Sequence, residues 1–338
     1  MIPRSIATPI LRVSQSLDLP PILTYSDTVL YNWHIDPAPD VPVDHENRGL
    51  PTPGNIRTNT MFTNTVDEEE FYLCSSRIEL KGVEALELIR MMMDEIFVGN
   101  TSAIHRISDY LRRMTTVIKD LRILLLQVKK FCRPDLYYNV VRPWLRGEDS
   151  DRGKRKWIYE GVDEDPKFHH PTELSGPSAG QSTLIHVLDI HLGVDHQTSA
   201  TSQIPSFMDR MKIYMPRSHR SLLNHLIANP RPLRGFVVAS QDEEMKQAYN
   251  QAVLALKEFR DAHMIITTLY IIGPAKRAAR AFLQREQEEI GPDVSTKDPA
   301  TNDRLNDSTL KGTGGTYLVK FLKDTRLRTE VAIIGGKV

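Results

Sequence analysis

His263 stands where chemistry is easiest to imagine. The stretch from Ser240 to Ile272 contains no glycine or proline, and Ala252, Leu256, Phe259, His263, Ile266 and Tyr270 recur along it at three- and four-residue spacing. That spacing puts them on one face of a helix, with His263 turned into the core. A buried imidazole is either a hydrogen-bonded core residue or a metal ligand. One such imidazole suffices where a prosthetic group supplies the other ligands, and its second nitrogen then calls for an acceptor. Asp189 lies in an otherwise apolar stretch, Leu184 to Leu192, where an ionised carboxylate is costly unless paired. Arg260, one turn before His263, is the natural partner, either locking the helix that presents the imidazole or forming a purely structural pair.

Two further places could meet a ligand. Arg142 is flanked by aromatic and apolar residues, Tyr137, Tyr138, Val140, Val141 and Pro143. Its planar fork could clamp a carboxylate, although surface arginines that lay their stems on apolar neighbours look the same. The run Gly312, Thr313, Gly314, Gly315, Thr316 offers free amides and two hydroxyls on a stretch able to close over a ligand. No strand leads into it and no Gly-Lys-Ser/Thr comes after it, so it is not a nucleotide loop. His186, His191 and His196 recur every five residues, which spreads them around a helix rather than making a zinc site. His169 and His170 read as a surface pair. No GxSxG, no HExxH and no cysteine in a nucleophile setting occur.

The elements that must position these groups are helical. Ile78, Val83, Leu86, Ile89, Met92 and Ile96 mark one amphipathic helix. Ile104, Ile107, Leu111, Met114, Ile118, Leu121, Leu125 and Val128 mark a second, ended by Pro134. A short helix is expected at residues 137–145, and loop at 146–171. A helix at 179–192 should start from a capping box at Ser178 and Gln181, and the long one from a second box at Ser240 and Glu243. Residues 283–311 are polar and read as loop, leading to a short last helix. Residues 1–62 are rich in proline, with a helical stretch between Pro21 and Trp33, and promise little core of their own. The fold class expected is all-α.

Composition narrows the function. The 338 residues are 40% hydrophobic and 25% charged, with 43 basic residues balancing 43 acidic ones. That is a globular chain large enough to bury a cofactor, with no global field toward nucleic acid or an anionic membrane. Cys74 and Cys132 form no CxxC pair, and no apolar run approaches the roughly 20 residues of a membrane span. The reading is cytoplasmic, so the sequons at Asn100 and Asn306 carry no weight.

Several of these pieces, in this order, resemble the indoleamine 2,3-dioxygenase family. The matching stretches are PRSIATPILRVSQSLDLPPILTYSDTVLYNW at 3–33, SGPSAGQSTLIHVLDIHLG at 175–193, YMPRSHR at 214–220, EFRDAHMIITTLYII at 258–272 and KGTGGTYLVKFLK at 311–323. The resemblance implies a large helical domain of long helices enclosing haem b, with His263 as the proximal iron ligand and Asp189 and Arg260 supporting it. It further implies that Arg142 holds a substrate carboxylate with Thr313 closing on it. The distal pocket would be lined by Tyr25, Thr28, Val29, Phe71, Tyr72, Ser75, Tyr137, Ser178 and Ala179, and Ser75 would join Arg142 and Thr313 in the catalytic set. The implied reaction inserts both atoms of dioxygen across the C2–C3 bond of L-tryptophan or a related indoleamine, to give N-formylkynurenine, with an electron donor keeping the iron ferrous. The alternative is a haem-binding or gas-sensing helical protein without turnover.

Members of that family carry a helical domain before the segment matching residue 3. Residues 1–62 are therefore read as the remnant of that small domain with its connecting segment, and 63–338 as the haem-binding catalytic domain. Tyr72, Tyr137 and Thr28 stand where Phe and Cys are usual, which implies a more polar slot. Pro177 replaces the second glycine of the family's S-G-G-S-A-G-Q-S pattern.

Overall fold

The computed structural model describes residues 1–36, 50–151, 155–194, 205–230, 232–290 and 310–335. His196 and the Asn306 sequon lie outside the described residues. Among the described residues the regular structure is helical apart from a two-stranded antiparallel sheet, β1 (Trp33–Ile35) with β2 (Ile56–Thr58), in which His34 pairs with Arg57. No described helix is long and apolar enough to cross a membrane.

Two long helices make the frame. Helix α2 (Val66–Val98) starts on Thr65, whose side chain accepts from the Glu68 amide, and ends on Gly99 with φ 66°. Helix α3 (Thr101–Phe131) starts on Asn100, which accepts from the Ala103 amide at 2.8 Å. Such caps satisfy orphan amides and contribute about 1 kcal/mol each. A left-handed residue with a cap immediately after it turns the chain sharply, so α3 folds back along α2. Ile107, Leu111, Met114, Ile118 and Leu121 are all 0% exposed on α3. Each such side chain contributes roughly 1.5–3 kcal/mol, and together they fix where the partners of α3 must lie. At the far end the Arg133 amide and guanidinium donate to Asp67 at 2.6, 3.1 and 2.9 Å, pinning the exit of α3 to the start of α2.

The shorter helices close the core. They are α4 (Thr183–His191), α5 (Phe207–Met211), α6 (Arg217–Ala228), α7 (Leu233–Ser240), α8 (Glu243–Thr267), α9 (Gly273–Ile290) and α10 (Leu318–Val331). Helix α8 packs on α3 and on α10. Gly82 of α2 lets α4 approach, since a Cβ there would meet Leu184 Cδ2 at 2.2 Å.

Several sequence expectations are corrected. Residues 4–17 form a regular helix, α1 (Arg4–Leu17), and its Ala7 and Leu11 are buried in a satellite cluster with Tyr159, Val162, Phe168 and Leu174. The stretch between Pro21 and Trp33 holds only a wide single turn, Ser26–Leu30. Ser178 does cap, but only the turn Ala179–Gln181, through the Gly180 amide at 3.2 Å, and neither expected box starts the α-helix expected of it. Ser182 caps α4 after a separate turn, Ala179–Gln181, and Asp242 caps α8 by accepting from the Met245 amide at 2.7 Å. The helix expected to stop at Gly273-Pro274 instead passes through a wide turn, Thr268–Ile272, into α9, which continues to Ile290. An i to i+5 turn spares the bond that Pro274 cannot donate.

Candidate active site

A cavity with about 1820 Å³ of empty space, counted out to its open mouth, lies between α2, α8 and the segments around residues 25–29, 177–180 and 312–314. Every residue expected in the distal pocket lines it: Tyr25, Thr28, Val29, Phe71, Tyr72, Ser75, Tyr137, Ser178, Ala179 and Thr313. His263 and Arg260 line it from α8. Asp189 does not, standing behind Arg260, and Arg142 does not.

The aromatic wall is continuous. Phe71 and Tyr137 have ring centroids 4.3 Å apart, and Tyr137 meets Tyr270 edge-on at 5.9 Å. Tyr270 is fixed from below by donating to the Cys132 carbonyl at 2.5 Å. Tyr72 donates to Glu68 at 3.0 Å, and this fully buried carboxylate also accepts from the Phe62 and Thr63 amides at 2.8 and 2.6 Å. Burial pushes the phenols of Tyr25, Tyr72 and Tyr137 upward, so they stay neutral.

His263 faces this space from the middle of α8. No described residue hydrogen-bonds its ring, so the acceptor expected on its second nitrogen is not found among them. Burial, aided by the Arg260 charge, lowers its pKa to about 4 and keeps the imidazole neutral, the form that binds a metal. One turn earlier, Arg260 Nη2 donates to both oxygens of Asp189 at 2.5 and 2.7 Å, and its Nη1 donates to Thr329 of α10. Asp189 is 2% and Arg260 8% exposed. The pair ties α4, α8 and α10 together directly beneath the imidazole.

Among the described residues no three His, Cys, Asp or Glu side chains converge as a metal site. A neutral imidazole without a partner, aimed into a large, mainly apolar cavity, fits a planar prosthetic group that brings its own equatorial ligands. The residues present therefore fit haem, which His263 would hold.

The glycine run is folded down onto the opposite rim. Gly312 donates to Thr316 O at 2.9 Å, Gly176 to Thr313 O at 3.1 Å, and Thr313 Oγ1 to Pro177 O at 2.6 Å. Beneath it Gly176 and Gly147 let residues 174–176 and 145–147 approach each other, since a Cβ on Gly176 would lie 2.1 Å from Leu145 O. Arg142, 4% exposed, donates from Nη2 to Lys311 O at 2.9 Å, with its guanidinium 5.5 Å from the Tyr138 ring centroid. It thus grips the base of the glycine run rather than reaching the cavity.

Sequence reasoning missed Glu79 and Ser182, which also line the cavity. Glu79 comes four residues after Ser75 and seven after Tyr72, a helical spacing that places it on the face of the two residues the resemblance had named. Of the histidines, His186 bonds the Gly180 carbonyl at 2.9 Å and His170 the Asp163 carboxylate at 2.7 Å.

A family model described as indoleamine 2,3-dioxygenase matches residues 1–332. The chain is 33% identical over 341 residues to an indoleamine 2,3-dioxygenase of Saccharomyces cerevisiae, covering 97% of this chain and 72% of that protein. It is 31% identical over 335 residues to human indoleamine 2,3-dioxygenase 2, covering 99% and 73%. A 6-hydroxytryptophan 2,3-dioxygenase of Fusarium equiseti is 29% identical over 327 residues, covering 96% and 73%.

Proposed function

Because the chain belongs to the indoleamine 2,3-dioxygenase family, we propose that it inserts both atoms of dioxygen across the C2–C3 bond of the indole ring of L-tryptophan, giving N-formylkynurenine. It is an oxidoreductase of the dioxygenase class. The observation that carries the reading to this site is the neutral imidazole of His263, without a partner among the described residues, facing an aromatic cavity.

In this reading His263 holds haem b, and Asp189 with Arg260 fixes the helix that presents it. Haem b, when bound, supplies the ferrous iron that takes up dioxygen, and a separate electron donor keeps it reduced. The protein's share is orientation and exclusion of water. Phe71, Tyr72 and Tyr137 offer an aromatic wall for the indole ring, and Tyr25, Thr28, Val29, Ser75, Ser178 and Ala179 complete the slot. Arg142 exchanges the Lys311 carbonyl for the substrate carboxylate, since a charge-assisted, two-pronged contact outweighs a bond to a neutral carbonyl. Thr313, at the tip of the glycine run, then closes on the same carboxylate. No side chain is required as a base, which accords with a cavity whose tyrosines are all held neutral.

A cytoplasmic setting belongs to the same proposal, supported by two unpaired, buried cysteines. The test is N-formylkynurenine formation from L-tryptophan by the haem-reconstituted, reduced chain beside His263→Ala. Product from the first and none from the second is expected. Haem bound by the wild type with no product would remove the dioxygenase reading, and full haem occupancy in His263→Ala would remove the ligand.

A further inference from the structure

A second, much smaller cavity, with about 540 Å³ of empty space counted out to its mouth, lies between α2, α4, α6 and α7. Ile89, Val187, Ile190, Leu226 and Leu233 give it apolar walls. Val187 and His191 stand four residues apart on α4, on the face opposite Asp189, and no residue lines both this cavity and the large one. The two spaces are separate.

The polar groups at this cavity are donors. His191 is 6% exposed, and its Nε2 is buried without a hydrogen-bond partner. No described residue bonds Nδ1, and Nδ1 is not among the sealed atoms, so it is the nitrogen that borders the cavity the ring lines. An orphaned N–H is rarer inside proteins than an orphaned acceptor, so the neutral ring keeps its proton on Nδ1, and a protonated ring carries one there too. Either state turns a donor toward the cavity.

Pro232, Leu233 and Arg234, where α7 begins, line the same space. No side chain caps α7, so its first amides and the positive end of its dipole are left for a ligand. Arg234 donates from Nε to the Ala332 carbonyl at 3.2 Å and forms no ion pair among the described residues. No acidic side chain lines the cavity. The last carbonyls of α4, which would repel an anion, are already engaged: Leu188, Asp189 and Ile190 accept from the amides of Leu192, Val194 and Gly193, and Leu192 accepts from Tyr249.

We propose that this cavity is a second ligand site, built for a small organic monocarboxylate with a compact apolar body. The walls take the body, while His191 Nδ1, the Arg234 guanidinium and the start of α7 take the carboxylate. A neutral molecule of the same shape forfeits the charge-assisted bonds, and a cationic one meets Arg234 as a like charge. The proposal needs neither haem nor the dioxygenase reading.

Isothermal titration of the full chain with benzoate, benzyl alcohol and benzylammonium tests it. Benzoate is expected to bind wild type at least about tenfold more tightly than benzyl alcohol, and benzylammonium not at all. Arg234→Met and His191→Phe should each weaken benzoate about tenfold or more, the effect of one hydrogen bond to a charged partner. Arg234 is exposed, so its replacement leaves the fold intact, which an unchanged unfolding midpoint verifies. Leu226→Trp should abolish binding by filling the cavity, and Arg142→Ala should bind benzoate as wild type does. Absence of benzoate binding, equal affinity for all three probes, or full affinity in Arg234→Met would each overturn the proposal. So would binding that survives Leu226→Trp or disappears in Arg142→Ala, either of which would assign the benzoate elsewhere on the chain.

Discussion

Arg260 reaches both carboxylate oxygens of Asp189 through a single nitrogen, at 2.5 and 2.7 Å, one helical turn before His263. Both side chains are almost fully buried, so their mutual attraction is little screened, and either one left alone would be an uncompensated charge in the core. Asp189→Ala should therefore cost about 3–5 kcal/mol of unfolding free energy, the range for breaking a buried pair by removing one partner. Replacing both, as Asp189→Leu with Arg260→Met, should recover most of that loss while loosening the α4–α8–α10 contact. Chemical denaturation of the four chains measures the cycle. A single mutant within about 1 kcal/mol of wild type, on the scale of an exposed pair, would show that the bond is open in solution.

Arg142 gives a prediction about function rather than stability. In the proposed function its donation to the Lys311 carbonyl is the bond that substrate would displace, so on that reading Arg142→Ala should leave haem binding intact and raise the KM for L-tryptophan. A hydrogen bond to a charged partner is worth about 1.5–3 kcal/mol, or roughly 10- to 150-fold in KM. Arg142→Lys should rescue only part of this, because an ammonium lacks the fork. Saturation curves identical to wild type would assign Arg142 to the glycine run alone.

His191 predicts a pH dependence of stability. Burial lowers its folded pKa to about 4 from an ordinary value of 6.5, and its Nε2 is sealed without a partner. Below pH 6.5 the unfolded chain binds a proton that the folded chain refuses, so unfolding free energy falls as pH falls through this window and levels off below about 4. The slope from this one residue approaches about 1.4 kcal/mol per pH unit. His191→Phe should flatten the profile between pH 6.5 and 4 by that amount without lowering stability above this window. An unaltered profile would mean that the ring reaches solvent.

The pattern of what the sequence disclosed has physical reasons. Stripes on α3 and α8 were legible because burial on one side of a long helix leaves a three/four period, and the same period carried His263 to the right face. Asp189 was legible because a lone carboxylate in Leu184 to Leu192 had to be paired. Helix α1 was not, because Pro9 falls within it and prolines crowd residues 20–53. The direction of Arg142 depends on Lys311, which is 169 residues away, and no local pattern reports such a contact. Glu79 hid for a related reason: its partners Tyr25 and Ser182 come from two other segments.

Gly176 offers the sharpest test of how the rim is held. Its Cα faces the Leu145 carbonyl so closely that a Cβ would lie 2.1 Å from that oxygen and 2.8 Å from the Gly147 amide, and neither is a side chain that can swing aside. The Gly176 amide also donates to Thr313 O at 3.1 Å. Gly176→Ala must push residues 174–176 off 145–147 and carry the Thr313 contact with it. Overpacking of this kind costs about 1–3 kcal/mol. The expected signature is a lower unfolding midpoint together with a raised KM, since the glycine run loses its seat while the cavity floor around His263 is untouched. Haem affinity should stay close to that of wild type. A variant with native KM would show that Thr313 reaches its place without the Gly176 bond, whereas loss of haem would show that the rim and the floor of the cavity fold as one unit.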